Sequence, residues 1–187
     1  MWYERAIELG LAPDWLLVLL IRTALKKYSN RISSLSENEL ESVQHSFITQ
    51  TSVGPIAKNT RSANVQHYEV PTSFFQYVLG DSMKYSGSVW RERQKSLNTS
   101  DNSTLVSYAK KASISDGQSI LDLGAGWGSF SLTVAREYPA CNVTALTNSN
   151  LQKKYIQERI NRDQLRNLSV VKSDINVFSP SQRYDRI

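Results

Sequence analysis

Residues 119–130 read SILDLGAGWGSF, and few folds accommodate such a stretch. A short apolar run carries one acid, Asp122. It breaks into three glycines at alternate positions, Gly124, Gly126 and Gly128, and a helical pattern resumes at Ser129. The run is too short for a helix and suits a buried strand. Glycines let a backbone turn sharply, and let a ligand approach with no Cβ in the way. The same alternation continues downstream. Residues 120–123, 143–146 and 168–171 read as strands, and residues 129–137 and 151–162 as helices. Residues 184–187 look like the start of a fourth strand. Strands alternating with helices imply βαβ units, a doubly wound parallel sheet and helices on both of its faces. Ligands of such sheets bind beyond the carboxyl ends of the strands, where this glycine loop falls.

The glycine spacing narrows the ligand. A dinucleotide fingerprint requires G-x-G-x-x-G. Here the pattern is G-x-G-x-G, and Ser129 holds the position of the last fingerprint glycine. Nicotinamide and flavin dinucleotides are therefore disfavoured. No G-K-[ST] follows, which excludes a phosphate-gripping P-loop.

The remaining chain is an N-terminal extension, residues 1–66, ahead of the sheet-forming residues 67–187. Residues 15–21, WLLVLLI, are the longest apolar run, preceded by Pro13 and Asp14 as a helix start and followed by Arg22, Lys26 and Lys27. The run is far shorter than the about 20 apolar residues that cross a bilayer. Such a helix is usually buried in its own domain, and a lipid groove, a dimer contact or a peripheral membrane surface is the sharper reading. Ser36 and Glu39 fit a capping box, opening a helix to about Gln50. Residues 51–63, with Gly54 and Pro55, read as a linker. Residues 98–104, NTSDNST, read as a polar loop, with a helix from Leu105 to about Ala112.

The chain has 187 residues, 40% hydrophobic and 21% charged, with a net charge of +5. That is globular composition. The charge permits an anionic partner without demanding one. No arginine-rich run or aromatic RNA motif points to nucleic acid. Cys141 is the sole cysteine, so no intrachain disulfide forms, and with no signal peptide a cytoplasmic location is expected.

Three ordered blocks resemble one family. LDLGAGWG at 121–128 looks like the first motif of the class I S-adenosylmethionine-dependent methyltransferases. HYEVPTSFFQYVLGDSMKYS at 67–86 and VTALTNSNLQ at 143–152 narrow the resemblance to the cyclopropane-fatty-acid synthase and coclaurine N-methyltransferase family. ELGLAPDWLLVLLIR at 8–22 is closer to the coclaurine-methyltransferase-like branch. The resemblance implies an incomplete Rossmann-like methyltransferase sheet, α/β in class, with an N-terminal helical extension. It implies S-adenosyl-L-methionine as cofactor and a small-molecule amine or a lipid acyl chain as methyl acceptor.

The family pattern also implies site residues. Tyr85 and Ser86 match a pair that closes over the cofactor, and an aromatic ring suits a sulfonium cation. Leu123, Gly124, Ala125, Gly126, Trp127 and Gly128 match the loop against the methionine portion. Asp122 would orient that loop and help hold the ammonium group. Thr147, Asn148 and Gln152 match the segment after the second strand. The acid that usually takes the ribose hydroxyls is absent there, and the Gln152 amide can both give and accept hydrogen bonds. Asp174 and Ile175 fit the adenine end, although a Ser-Asp pair at a strand end is often only a helix cap.

No catalytic residue is assigned. The resemblance places the general base beyond the fourth strand, downstream of Ile187. His45 reads as a surface helix residue, and His67 as shaping the entrance to the cofactor site. The expectation is of a truncated or incomplete product, poorly active alone, with a non-catalytic or partner-completed binding module as the alternative. No metal site is read.

Overall fold

The computed structural model of the chain describes residues 5, 7, 9–60, 62, 70–91 and 94–187. It divides into two units, Met1–Gly54 and Pro55–Ile187.

In the first unit, α1 (Asp14–Ser33) begins after Pro13, and α2 (Glu37–Thr51) begins at Ser36. The Ser36 capping box forms: its hydroxyl accepts from the Glu39 N–H, and the Ser36 N–H donates to the Glu39 carboxylate at 2.8 Å. Two helix-end donors are thereby satisfied reciprocally. α1 runs well past Lys27, to Ser33. Its apolar residues are not buried as expected for such a run: Trp15, Leu19, Leu20 and Ile21 are all more than half exposed. No helix among the described residues is long and apolar enough to cross a membrane.

In the second unit, α3 (Thr72–Val78) and α4 (Leu97–Lys111) precede the sheet. The sheet then alternates: β1 (Ser119–Leu123), α5 (Ser129–Glu137), β2 (Asn142–Thr147), α6 (Asn150–Arg162) and β3 (Leu168–Lys172). The three strands are parallel in the order β1-β2-β3. Ile120 pairs with Val143, and Val143 with Leu168. Parallel neighbours need crossover connections, which α5 and α6 supply. Ile120 and Leu121 are both buried, as are Ala145, Leu146 and Thr147. Consecutive residues of a strand point to opposite faces, so both faces of β1 and β2 are covered. Trp127, Leu132, Val134, Ile156 and Leu168 complete the core around them.

Residues 184–187 form a single parallel bridge rather than a ladder: Ile120 with Arg186, on the edge of β1 away from β2. The Leu121 N–H donates to the Arg186 carbonyl at 3.0 Å.

One local expectation is corrected. Residues 98–104 are helical, within α4, whose N-cap Ser96 accepts from the Thr99 N–H. Ser100, Asp101 and Thr104 are almost fully buried there, so one face of the polar tract is turned to protein, while Thr99, Asn102 and Ser103 are exposed. The boundary between the two units falls inside the span read as a linker, and beyond it the Ala57 N–H and carbonyl both bond the Asn176 side chain, at 3.1 and 2.9 Å.

Candidate functional site

The glycine loop leaves β1 at its carboxyl end. Gly124, Gly126 and Gly128 have φ of +81°, +56° and +79°, the left-handed region that other residues enter at a cost. The Gly124 and Ala125 N–H groups donate to the Leu146 carbonyl at 3.1 and 2.8 Å, tying the loop to β2. A Cβ on Gly124 or Gly126 would meet nothing within 4 Å, whereas one on Gly128 would lie 2.8 Å from Ile156 Cγ1. The first two glycines therefore border open space, and the third is needed for packing α5 close to α6.

That open space is a cleft of about 380 Å³. Tyr85, Ser86, Asp122, Gly124, Ala125 and Gly126 line it, with Trp127, Thr147, Asn148 and Gln152. Met83, Ser129, Phe130 and Ser149 complete the wall. Sequence reasoning assigned Met83, Ser129 and Phe130 no role in the site, and took Ser149 only as part of the matched segment 147–152. Ser129, Phe130 and Ser149 were findable as flanks of the glycine loop and of α6. Nothing local marks Met83, which is buried with φ of +55°. A second, more apolar cleft of about 280 Å³ shares Gly124, Thr147 and Asn148. It contains Leu123 and Ile175, with Ile56, Ala57 and Thr60 from the span read as a linker. Of the residues implicated from the sequence, Gly128 and Asp174 line neither cleft.

Asp122 sits low in the first cleft. Burial of its carboxyl raises its pKa, and the hydrogen bond from the Ser131 hydroxyl opposes that rise. On the other limb, the Thr147 hydroxyl donates to the Gln152 Oε1 at 2.6 Å, with both side chains buried. Ser149 caps α6 by accepting from the Gln152 N–H. The strand end and the helix start thus hold each other in register.

Asp174 has a different use. Its carboxylate accepts from the Thr60 hydroxyl at 2.6 Å, and from the Asn176 N–H and side-chain amide at 2.9 Å each. The Thr60 hydroxyl first, and Asn176 after it, hold this carboxyl below the usual range. Asp174 thus holds Thr60, while Asn176 holds Ala57.

Aromatic rings back the site. Phe75 of α3 stands 4.9 Å from the Trp127 ring and 5.6 Å from Tyr85, and Trp127 stands 5.5 Å from Tyr155 of α6. The Trp127 Nε1–H is buried among them with no hydrogen-bond partner. His45 lies exposed on α2, and His67 lies outside the described residues. No group of three or more His, Cys, Asp or Glu able to hold a metal occurs among the described residues.

The chain is similar to known proteins. The family model described as mycolic acid cyclopropane synthetase matches residues 56–187. A curated relative, (S)-coclaurine N-methyltransferase of Thalictrum flavum subsp. glaucum, is 33% identical over 98% of this chain and 51% of its own length. (S)-Tetrahydroprotoberberine N-methyltransferase of Eschscholzia californica is 35% identical over 66% of this chain and 35% of its own. This chain thus spans about half the length of such relatives, or less. A crystal structure of coclaurine N-methyltransferase bound to N-methylheliamine and SAH superposes with a TM-score of 0.83 at 32% identity, over 97% of this chain and 52% of that one.

Proposed function

The chain belongs to the mycolic acid cyclopropane synthetase family, and from that premise we propose that its cleft holds S-adenosylmethionine for methyl transfer to a small-molecule amine. The observation that carries the reading is the convergence of Asp122, the loop of Gly124 and Gly126, Tyr85, Ser86 and Gln152 on one cleft.

The residues suit the cofactor. A carboxylate at Asp122 answers an ammonium group. Glycines without Cβ allow a close approach along the methionine portion. The Tyr85 ring suits a sulfonium. Thr147 and Gln152 offer hydroxyl and amide groups where ribose hydroxyls would need them. Leu123, Ile175 and Ile56 supply apolar faces for an adenine in the adjoining cleft. Asp174 is better described as holding Thr60 in place beside that cleft than as an adenine ligand.

When bound, the cofactor supplies an electrophilic methyl group. The chain's part is to align donor and acceptor and to exclude water, which can lower a barrier by several kcal/mol (of order 7–11 for ideal alignment). We assign no general base. Asp122, the one carboxyl in the cleft, is engaged with Ser131.

The amine is preferred as acceptor because the relatives described above are N-methyltransferases by name. A lipid acyl chain is the second reading, favoured by the family's description. Calorimetry with S-adenosylmethionine and with NAD tests the cofactor, and NAD binding alone would overturn it. Transfer of labelled methyl to a panel of amines and unsaturated phospholipids tests the acceptor. Label in phospholipid with none in any amine would replace the first reading by the second.

A further inference from the structure

Residues 80–90 contain no helix or strand, yet they carry Tyr85 and Ser86 to the cleft. The ends of this loop are pinned by the first turns of α4. The Asp81 N–H donates to Asn98 Oδ1 at 2.9 Å, and the Val89 N–H to Thr104 Oγ1 at 3.0 Å. Ser100 donates to the Val89 carbonyl at 2.8 Å. Asp101, 1% exposed, accepts from Ser82 at 2.8 Å and from Ser88 at 2.5 Å.

The middle is closed differently. Lys84 is 5% exposed. Its ammonium donates to the Ser86 carbonyl at 2.8 Å, the Ser86 hydroxyl at 2.8 Å and the Gly87 carbonyl at 2.7 Å. Those bonds use all three of its N–H donors. The Tyr108 ring lies 5.3 Å from the Nζ. An ammonium so placed draws three oxygens of the next turn around itself, which fixes that turn with Tyr85 in its middle. The Ser86 hydroxyl accepts from Lys84, so its own O–H is turned toward other acceptors.

We propose that Lys84 is a positioning residue for the cofactor: its ammonium, seated between the turn oxygens of Ser86 and Gly87 and the Tyr108 ring, sets the Tyr85 ring and the Ser86 hydroxyl in the cleft. This rests on the cleft being the S-adenosylmethionine site. Lys84 itself lines neither cleft, so its influence passes through its neighbours.

The test uses the 187-residue chain and the substitution Lys84→Met, which keeps the stem and removes the ammonium. Calorimetry should show S-adenosylmethionine affinity falling about tenfold or more, the scale of lost charge-assisted hydrogen bonds. S-adenosylhomocysteine, which lacks the sulfonium charge, should lose about threefold less, because only the sulfonium draws on the ring. A loosened fold would weaken both alike. In a Lys84→Met/Tyr85→Leu double variant the losses should not add, as for residues acting through one contact. NMR of ring-labelled tyrosine supplies a ligand-free readout. The Tyr85 signal, shifted by the Phe75 ring at 5.6 Å, should move to an exposed-tyrosine position in Lys84→Met while Tyr155 stays. If Lys84→Met does not fold, Tyr108→Leu should show the same changes in smaller measure. Unchanged affinity with an unchanged Tyr85 signal overturns the proposal. A wild-type chain that binds no S-adenosylmethionine overturns the cofactor reading instead, and the Tyr85 signal then decides whether Lys84 sets the loop.

Discussion

The Ser131 hydroxyl of α5 donates to the Asp122 carboxylate of β1 at 2.5 Å, bridging the two ends of the glycine loop. One bond therefore links the acid at the bottom of the cleft to the helix that the loop launches. Burial raises the Asp122 pKa and this bond restrains the rise. A cationic ligand prefers the carboxylate, so binding should release a proton wherever free Asp122 is partly protonated. Affinity for S-adenosylmethionine should be full above the free-state pKa and fall as pH drops through it. Ser131→Ala should move that fall to higher pH, and Asp122→Asn should flatten the profile at lower affinity. Calorimetry from neutral pH into the acid range decides, and coincident wild-type and Asp122→Asn curves would count against Asp122 as the ammonium's partner.

The loop glycines should separate stability from binding. Gly128→Ala meets both a left-handed backbone and Ile156 at 2.8 Å, and should cost about 3 kcal/mol in urea unfolding. Gly126→Ala meets only the backbone strain, about 1 kcal/mol. Its methyl group would enter open space beside the cleft, and ligand affinity should suffer more than stability. Equal stability losses for the two variants would contradict the packing role of Gly128.

Thr147→Val should leave the buried Gln152 Oε1 without the donor it has at 2.6 Å. The expected loss is roughly 1–3 kcal/mol in denaturant unfolding. Thr147→Ser retains the hydroxyl and should recover most of it. If serine is no better than valine, packing of the threonine methyl group matters more than the bond.

Asp163, after α6, is held at a pKa of about 2, first by its bond from Arg162 and then by that from Arg136. A carboxyl depressed in the folded state contributes stability above its ordinary pKa and loses it as pH falls toward the folded value. Asp163→Asn should therefore lower stability at neutral pH by about 1 kcal/mol, the upper range for ion pairs near the surface. The difference should vanish as the pH falls from about 4 to about 2. Melting curves of both forms across that range check it, and ligand affinity should not change.

The strand and helix alternation from Ser119 onward was legible because each element is short, amphipathic or wholly apolar, and bounded by glycine or a capping serine. Ser36 and Glu39 announced α2 for the same local reason. The tract 98–104 was not legible. Asn, Ser, Asp and Thr compete with the backbone for hydrogen bonds and ordinarily signal loops. Here Asn98, Ser100, Asp101 and Thr104 turn from α4 to bond residues 81–89, a use that depends on chain 10 to 20 residues away in sequence, such as the 17 between Asp81 and Asn98. The bond that Asp174 makes was not legible for a like reason. Its partner Thr60 lies 114 residues earlier, and no spacing rule reaches that far. The strand-end and loop lining of the cleft followed from the glycine pattern and the family resemblance, while Met83 and Lys84 depended on a turn that only tertiary bonds define.

Trp127 gives the molecule an optical property of its own. It is 1% exposed, whereas Trp15 and Trp90 are 68% and 56% exposed. An indole shut away from water, with its N–H unpaired among Phe75 and Tyr155, emits at shorter wavelength than a hydrated one. Dissolved quenchers should silence Trp15 and Trp90 and spare it. With Trp2, which lies outside the described residues, replaced by phenylalanine, the residual blue emission watches the wall of the cleft, and its change in intensity on mixing would time ligand arrival without any attached dye.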